Sequence, residues 1–125
     1  MAGFRDLKAW QVAVRLASDL YDLSENWPQR EQFGLTSQAR RAAVSISANI
    51  AEGQGRASPK EFNHHLSIAY GSLCELQTLL HIARLRTYCN AEQEEILNER
   101  AEETARLIRG LMKSLEPAIA KSSRS

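Results

Sequence analysis

Apolar residues recur every three or four positions along most of this chain, and no segment keeps the strict alternation of a strand. From about Asp6 to Ser24, Leu7, Trp10, Val14, Ala17 and Tyr21 make one seam. Ala9, Ala13, Leu16, Leu20 and Leu23 make a second beside it, so the apolar face is wider than a single partner helix requires. Trp27-Pro28 closes this helix, because the residue before a proline is pushed out of the α conformation. After a connector from Glu31 to Gly34, a second helix is expected from about Leu35 to Glu52. Ala39, Ala43, Ile46 and Ile50 form its apolar stripe, and Gln38, Arg41, Ser45, Asn49 and Glu52 form a polar stripe at the same spacing. Ala and Ser at most positions let a neighbouring helix come close. Gly53 and Gly55 are expected to end this helix, one of them in the left-handed conformation.

The third helix has the clearest start: Ser58 as cap, Pro59 at the first helical position and Glu61 as the reciprocal partner. From there Phe62, Leu66, Ala69, Leu73, Leu76, Leu80 and Ala83 repeat in four-three spacing, a heptad seam suited to packing at about 20°. The helix extends towards Tyr88, and Gly71-Ser72 in its middle is expected to mark a close crossing or a slight bend. Asn90 and Gln93 cap a fourth helix, whose Leu97, Ala101, Thr104, Ile108, Leu111 and Leu115 keep the same spacing until Pro117 ends or kinks it. Short connections make sequential helices antiparallel. The fold class is therefore all-α, an antiparallel up-down-up-down four-helix bundle, with residues 1–118 as one domain and 119–125 as a flexible polar tail.

A length of 125 residues is enough to bury a core without staples. A formal net charge of +1 does not by itself predict an avid nucleic-acid or membrane binder. Charge is unevenly spread, however. Arg40, Arg41, Arg56 and Lys60 cluster, Glu92 to Glu103 is acidic, and Arg106, Arg109, Lys113, Lys121 and Arg124 turn the end basic. Charged residues interrupt the first apolar positions, so no secretory signal is expected, and no run reaches the roughly 18 apolar residues of a membrane span. A cytoplasmic protein is expected. Cys74 and Cys89 would stand about 22 Å apart on one helix, beyond disulfide reach, so reduced thiols, buried or half-buried, are expected.

Little in the chain resembles catalytic chemistry. Glu61 and His64 have the Glu-x-x-His spacing of di-metal bundles, but only one copy exists and Glu61 already serves as a capping partner. No two histidines have the four-residue spacing of a helical zinc site. The serines lie inside helices with no histidine at local spacing, and Gly53, Gly55 and Arg56 lack the lysine of a phosphate loop. No metal, no cofactor and no catalytic residue is expected. Arg41 is expected to pair with a carboxylate of a neighbouring helix while Arg40 is solvated. Glu52, which opposes the helix dipole, is expected to have a cation such as Arg56 beside it. Arg106, Arg109 and Lys113 form a basic row on one face of the last helix.

The segments FRDLKAWQVA, EQFGLTSQARRAAVSISANIAEGQGRASPKEF and IAYGSLCEL carry a specific resemblance. The chain resembles the four-helix-bundle proteins encoded by intervening sequences in bacterial 23S rRNA genes, relatives of the accessory proteins of diversity-generating retroelements. The similarity runs from Phe4 to about Leu115, and the positions matching the family motif are Gln38, Arg40, Arg41, Ser45, Asn49, Glu52, Gly53 and Arg56. It implies a homopentamer and, for the retroelement relatives, basic surfaces that contact RNA and a reverse transcriptase. The near-neutral net charge is where this chain departs from those relatives.

The favoured expectation is a non-enzymatic oligomer that binds RNA or a ribonucleoprotein by phosphate neutralisation. The candidate residues are Arg40, Arg41, Arg56, Lys60, Arg106, Arg109 and Lys113. Gln38, Ser45, Asn49, Glu52 and Gly53 are assigned to a structural network. An oligomeric protein scaffold without nucleic-acid binding is the alternative, and a di-metal enzyme is a distant third. No exposed stacking platform for bases is evident in the sequence.

Overall fold

The computed structural model describes residues 3–123 and carries them on four α-helices: α1 (Lys8–Ser24), α2 (Leu35–Gln54), α3 (Pro59–Leu85) and α4 (Ala91–Ser123). Single 3-10 turns at Phe4–Asp6 and Gln29–Glu31 precede α1 and α2, and no strand occurs among the described residues. Contacts run α1–α2, α2–α3, α3–α4 and α1–α4, the square of an antiparallel bundle. The heptad seams supply the core. Ala39, Ala43, Ile46 and Ile50 of α2 and Leu66, Ala69, Leu73, Leu76, Leu80 and Ala83 of α3 are all buried. In α1 the seam of Ala9, Ala13, Leu16 and Leu20 is the buried one; Val14 and Tyr21 of the other seam stay exposed.

Both expected helix starts are capped, the Asn90–Gln93 one as a full reciprocal box. The Glu61 amide donates to Ser58 Oγ at 3.2 Å, and Asn90 and Gln93 exchange side-chain-to-backbone bonds at 2.9 and 2.8 Å. The end of α2 differs from expectation. No glycine among the described residues has a positive φ; Gly53 lies inside the helix and Gly55 caps it at φ −79°. What Gly53 provides is space, since a Cβ there would stand 2.6 Å from His65 Cβ and 3.0 Å from the Phe62 ring. The left-handed cap occurs instead at Thr87 (φ 64°), where Tyr88 N–H reaches Ala83 O and Thr87 N–H reaches Arg84 O to close α3.

Three further differences concern α3, α4 and the cysteines. Gly71 marks no crossing: a Cβ there would meet nothing within 4 Å, and α3 is unbroken. The close approach is made by Ser72, whose hydroxyl bonds Ser45 Oγ at 2.9 Å. The fourth helix does not end near Leu115 but passes through Pro117 to Ser123, so the expected tail from 119 is helical as far as it is described; Arg124 and Ser125 lie outside the described residues. Pro117 is exposed, so the carbonyl it leaves without an N–H partner faces the wet side of the helix. Cys74 is exposed on α3 and Cys89 is buried in the α3–α4 connection, both as free thiols, with burial and then Glu94 raising the Cys89 pKa.

The two glycines give opposite expectations. Gly53→Ala forces the α2–α3 crossing apart and is expected to destabilise the protein by about 1–3 kcal/mol. Gly71→Ala fills open space in a helix interior and is expected to stabilise it by about 0.5–1 kcal/mol. Urea unfolding midpoints of the two variants measure both, and a neutral Gly53→Ala would contradict the close-contact role.

Candidate functional site

Arg40 and Arg41 are adjacent on α2, about 100° apart around the helix, and their surroundings reverse the expected roles. Arg40 is the engaged one: Nε donates to Ser24 Oγ at 2.8 Å, Nη2 reaches Tyr21 O at 3.4 Å, and the guanidinium lies 4.5 Å from the Tyr21 ring centroid. Ser24 is buried and its hydroxyl donates a hydrogen bond to Tyr21 O at 3.3 Å, so Arg40 ties the end of α1 to α2. Arg41 is exposed and has no carboxylate within ion-pair distance among the described residues.

Arg41 lines an open groove of about 930 Å³ with Arg40, Gln38, Ser37, Thr36 and Phe33, and with Ser45, Ser72 and Glu75 towards α3. Beneath it runs a chain of hydrogen bonds. Ser72 and Ser45 share one; Asn49 Nδ2 donates to Ser45 O and Oγ at 2.9 and 3.1 Å; Asn49 Oδ1 accepts from His65 Nδ1 at 3.1 Å. Of the residues assigned to a network on α2, Ser45 and Asn49 are hydrogen-bonded to each other, and the chain continues to Ser72 and His65. Gln38 belongs to the open groove instead, and Glu52 forms an exposed helical pair with Arg56 at 2.9 Å.

Phe33 was missed as a candidate. It stands 91% exposed at the mouth of this groove. Glu31 holds the turn that carries it: one carboxylate oxygen accepts from Leu35 N–H at 3.2 Å, as a remote cap for α2, and the other accepts from Tyr88 OH at 2.8 Å. These two hydrogen bonds, the backbone one first, lower the Glu31 pKa below its ordinary 4.5.

The remaining candidate cations are divided by topology. Because α3 and α4 are antiparallel, Arg109 lies against α3, donating to Tyr70 OH at 2.6 Å, and Lys113 falls closer to the Pro59 end. That end of the bundle also receives Arg5, Lys8, Arg56, Lys60 and Lys121. Of these, Lys8, Lys60, Lys113 and Lys121 have no carboxylate within ion-pair distance among the described residues. Arg106 sits further along, in a groove with Glu95, Glu99 and Glu102. The opposite end is acid-rich, with Glu25, Glu31, Glu92, Glu94 and Glu95 facing Arg30, Arg84 and Arg86. Glu94 is held there by His81 at 2.7 Å and Arg84 at 4.0 Å. Among the described residues no three His, Cys, Asp or Glu side chains are grouped as a metal would need, and no helix is long and apolar enough to cross a membrane.

A lowered carboxylate pKa stabilises the fold above the unfolded value and is lost as pH falls through the folded one. Glu31→Gln is therefore expected to be less stable than the parent at pH 7, with the gap closing as pH falls below about 4.5. Thermal melts of both proteins from neutral to acid pH measure this; a constant gap would contradict it.

The chain matches the family model of the 23S rRNA-intervening sequence protein over residues 5–110. A crystal structure of a protein of unknown function from the S23 ribosomal protein family of Bacteroides thetaiotaomicron superimposes with a TM-score of 0.77 at 24% identity, covering 84% of this chain and 95% of that one. Among curated proteins, none matches the chain in sequence. The four-helix fold is thus shared with that structure, and the matched residues take in all of α1, α2 and α3 and much of α4. The chain belongs to the 23S rRNA-intervening sequence protein family.

Proposed function

We propose that this chain is a non-enzymatic, cytoplasmic, self-associating bundle that binds structured RNA or a ribonucleoprotein by neutralising phosphates at one end. The observation that carries the reading is the separation of charge along the bundle. Arg5, Lys8, Lys60, Lys113 and Lys121 collect at the end where α1 and α3 begin, while Glu92, Glu94 and Glu95 of α4 lie at the other. A nearly neutral chain becomes an electrical dipole, and only its basic end attracts a polyanion. Asp6, Glu52, Glu61 and Glu116 share that end; Glu52 is tied to Arg56 and Glu61 to the α3 cap. The family description names 23S rRNA, which is the context in which an RNA partner is expected. The resemblance puts the assembly at five subunits, and repetition around an axis would multiply the modest field of one basic end. A reverse-transcriptase-like partner, implied for the retroelement relatives, would bring RNA to the same surface.

The protein-scaffold alternative has its own support in Phe33 and Leu85, which are 91% and 67% exposed. Light scattering tests the premise both readings share, and a mass equal to one chain contradicts it.

Titration of a structured 23S rRNA fragment at several salt concentrations is expected to show affinity falling linearly with log salt, by about 0.7–0.9 per phosphate neutralised. Charge reversal at Lys60, Lys113 and Lys121 is expected to lower that slope by about one per lost contact while the bundle stays folded. An unchanged slope would remove the basic end from the reading.

A further inference from the structure

Phosphate neutralisation accounts for the basic end but leaves the groove along α2 without a task. Its features are specific. Phe33 is almost wholly exposed at its mouth, on a turn that Glu31 fixes from behind through Leu35 and Tyr88. Arg41 projects from α2 with no carboxylate of its own. Arg40 is held over the Tyr21 ring beside it, 4.5 Å from the centroid. Thr36, Ser37, Ser45 and Ser72 line the groove with hydroxyls.

Tyr21, Ala42 and Val44 add apolar lining and Glu75 one carboxylate, so two guanidinium groups against one acid leave the groove with a positive balance that suits an anion. An open, flat aromatic ring next to guanidinium groups and hydroxyl donors matches the needs of a single-stranded nucleotide segment. A base has a π-face to stack, its phosphate is an anion, and its ribose presents a 2′-OH. The volume of about 930 Å³ lies within the range of small-ligand clefts. We infer that this groove is a single-stranded RNA site, in which a base stacks on Phe33, Arg41 holds the adjoining phosphate and Arg40 is the positioning residue that ties α1 to that wall. The site rests on the RNA-binding reading above and adds to it a contact that tells single strands from duplex.

The test uses the full chain with a fluorescein-labelled oligouridylate of about 12 nucleotides, and a duplex of the same length, followed by anisotropy. Phe33→Ala is expected to weaken single-strand binding by about five- to a hundredfold, the range of one base-aromatic stack, with little effect on the duplex. Phe33→Tyr is expected to retain the affinity, and Arg41→Gln to weaken single-strand binding and lower its salt slope. Because Phe33 and Arg41 are exposed, circular dichroism is expected to be unchanged in all three. If Phe33→Ala binds oligouridylate like the parent while charge reversal at Lys60, Lys113 and Lys121 abolishes binding, the groove proposal falls and the basic-end reading stands. If the parent binds neither RNA, both fall. If Phe33→Ala instead dissociates the oligomer with RNA affinity intact, the groove is a contact between copies of this chain and the proposal is overturned.

Discussion

The close approach of α2 to α3 is the constraint on which the rest of this structure depends. Ala39 and Ala43 are fully buried, Ser45 meets Ser72 at hydrogen-bond distance, and Gly53 lies where even a methyl group would strike His65 and Phe62. Small side chains on one helix let the large ones of its partner, Leu66, Leu73 and Leu76, fill the space between. Hydrogen bonds among Ser72, Ser45, Asn49 and His65 then fix the register, because each polar group there has its partner at one placement of the helices.

With that pair set, antiparallel connections decide where every charge falls. Residues distant in sequence, Lys8, Lys60 and Lys113, arrive at one end, and the acidic first turns of α4 arrive at the other. The same packing sends Arg40 inward against Ser24 and leaves Arg41 outside. The proposed function rests on these placements. A net charge near zero says little about affinity for a polyanion when the charges are separated along the bundle.

Most of the fold was legible in the sequence because heptad spacing and capping boxes are local. Ser58 to Glu61 and Asn90 to Gln93 carry their own start signals, and each α3 seam residue from Leu66 to Ala83 is buried as its spacing requires. What was not legible depends on partners far along the chain. Arg40 and Arg41 are alike in sequence, and only Tyr21 and Ser24 distinguish them. Gly53 and Gly71 are each a glycine in a helix; one faces Phe62 and the other faces open space. Thr87, a β-branched residue, takes the left-handed cap that glycine was expected to take. Phe33 was legible as apolar but not as exposed, because the turn that turns it outward is held by Tyr88 from another part of the chain. Pro117 was expected to stop α4, yet an exposed proline costs the helix one bond on a face that water can satisfy.

The most direct measurement is an amide and side-chain NMR map of the isotope-labelled protein titrated with RNA at low salt. The account predicts shifts concentrated at Lys8, Lys60, Lys113 and Lys121 and along the Phe33–Arg41 groove, with the acidic turns of α4 from Glu92 to Glu99 unmoved. Shifts spread evenly over the bundle, or centred on the acidic end, would contradict it.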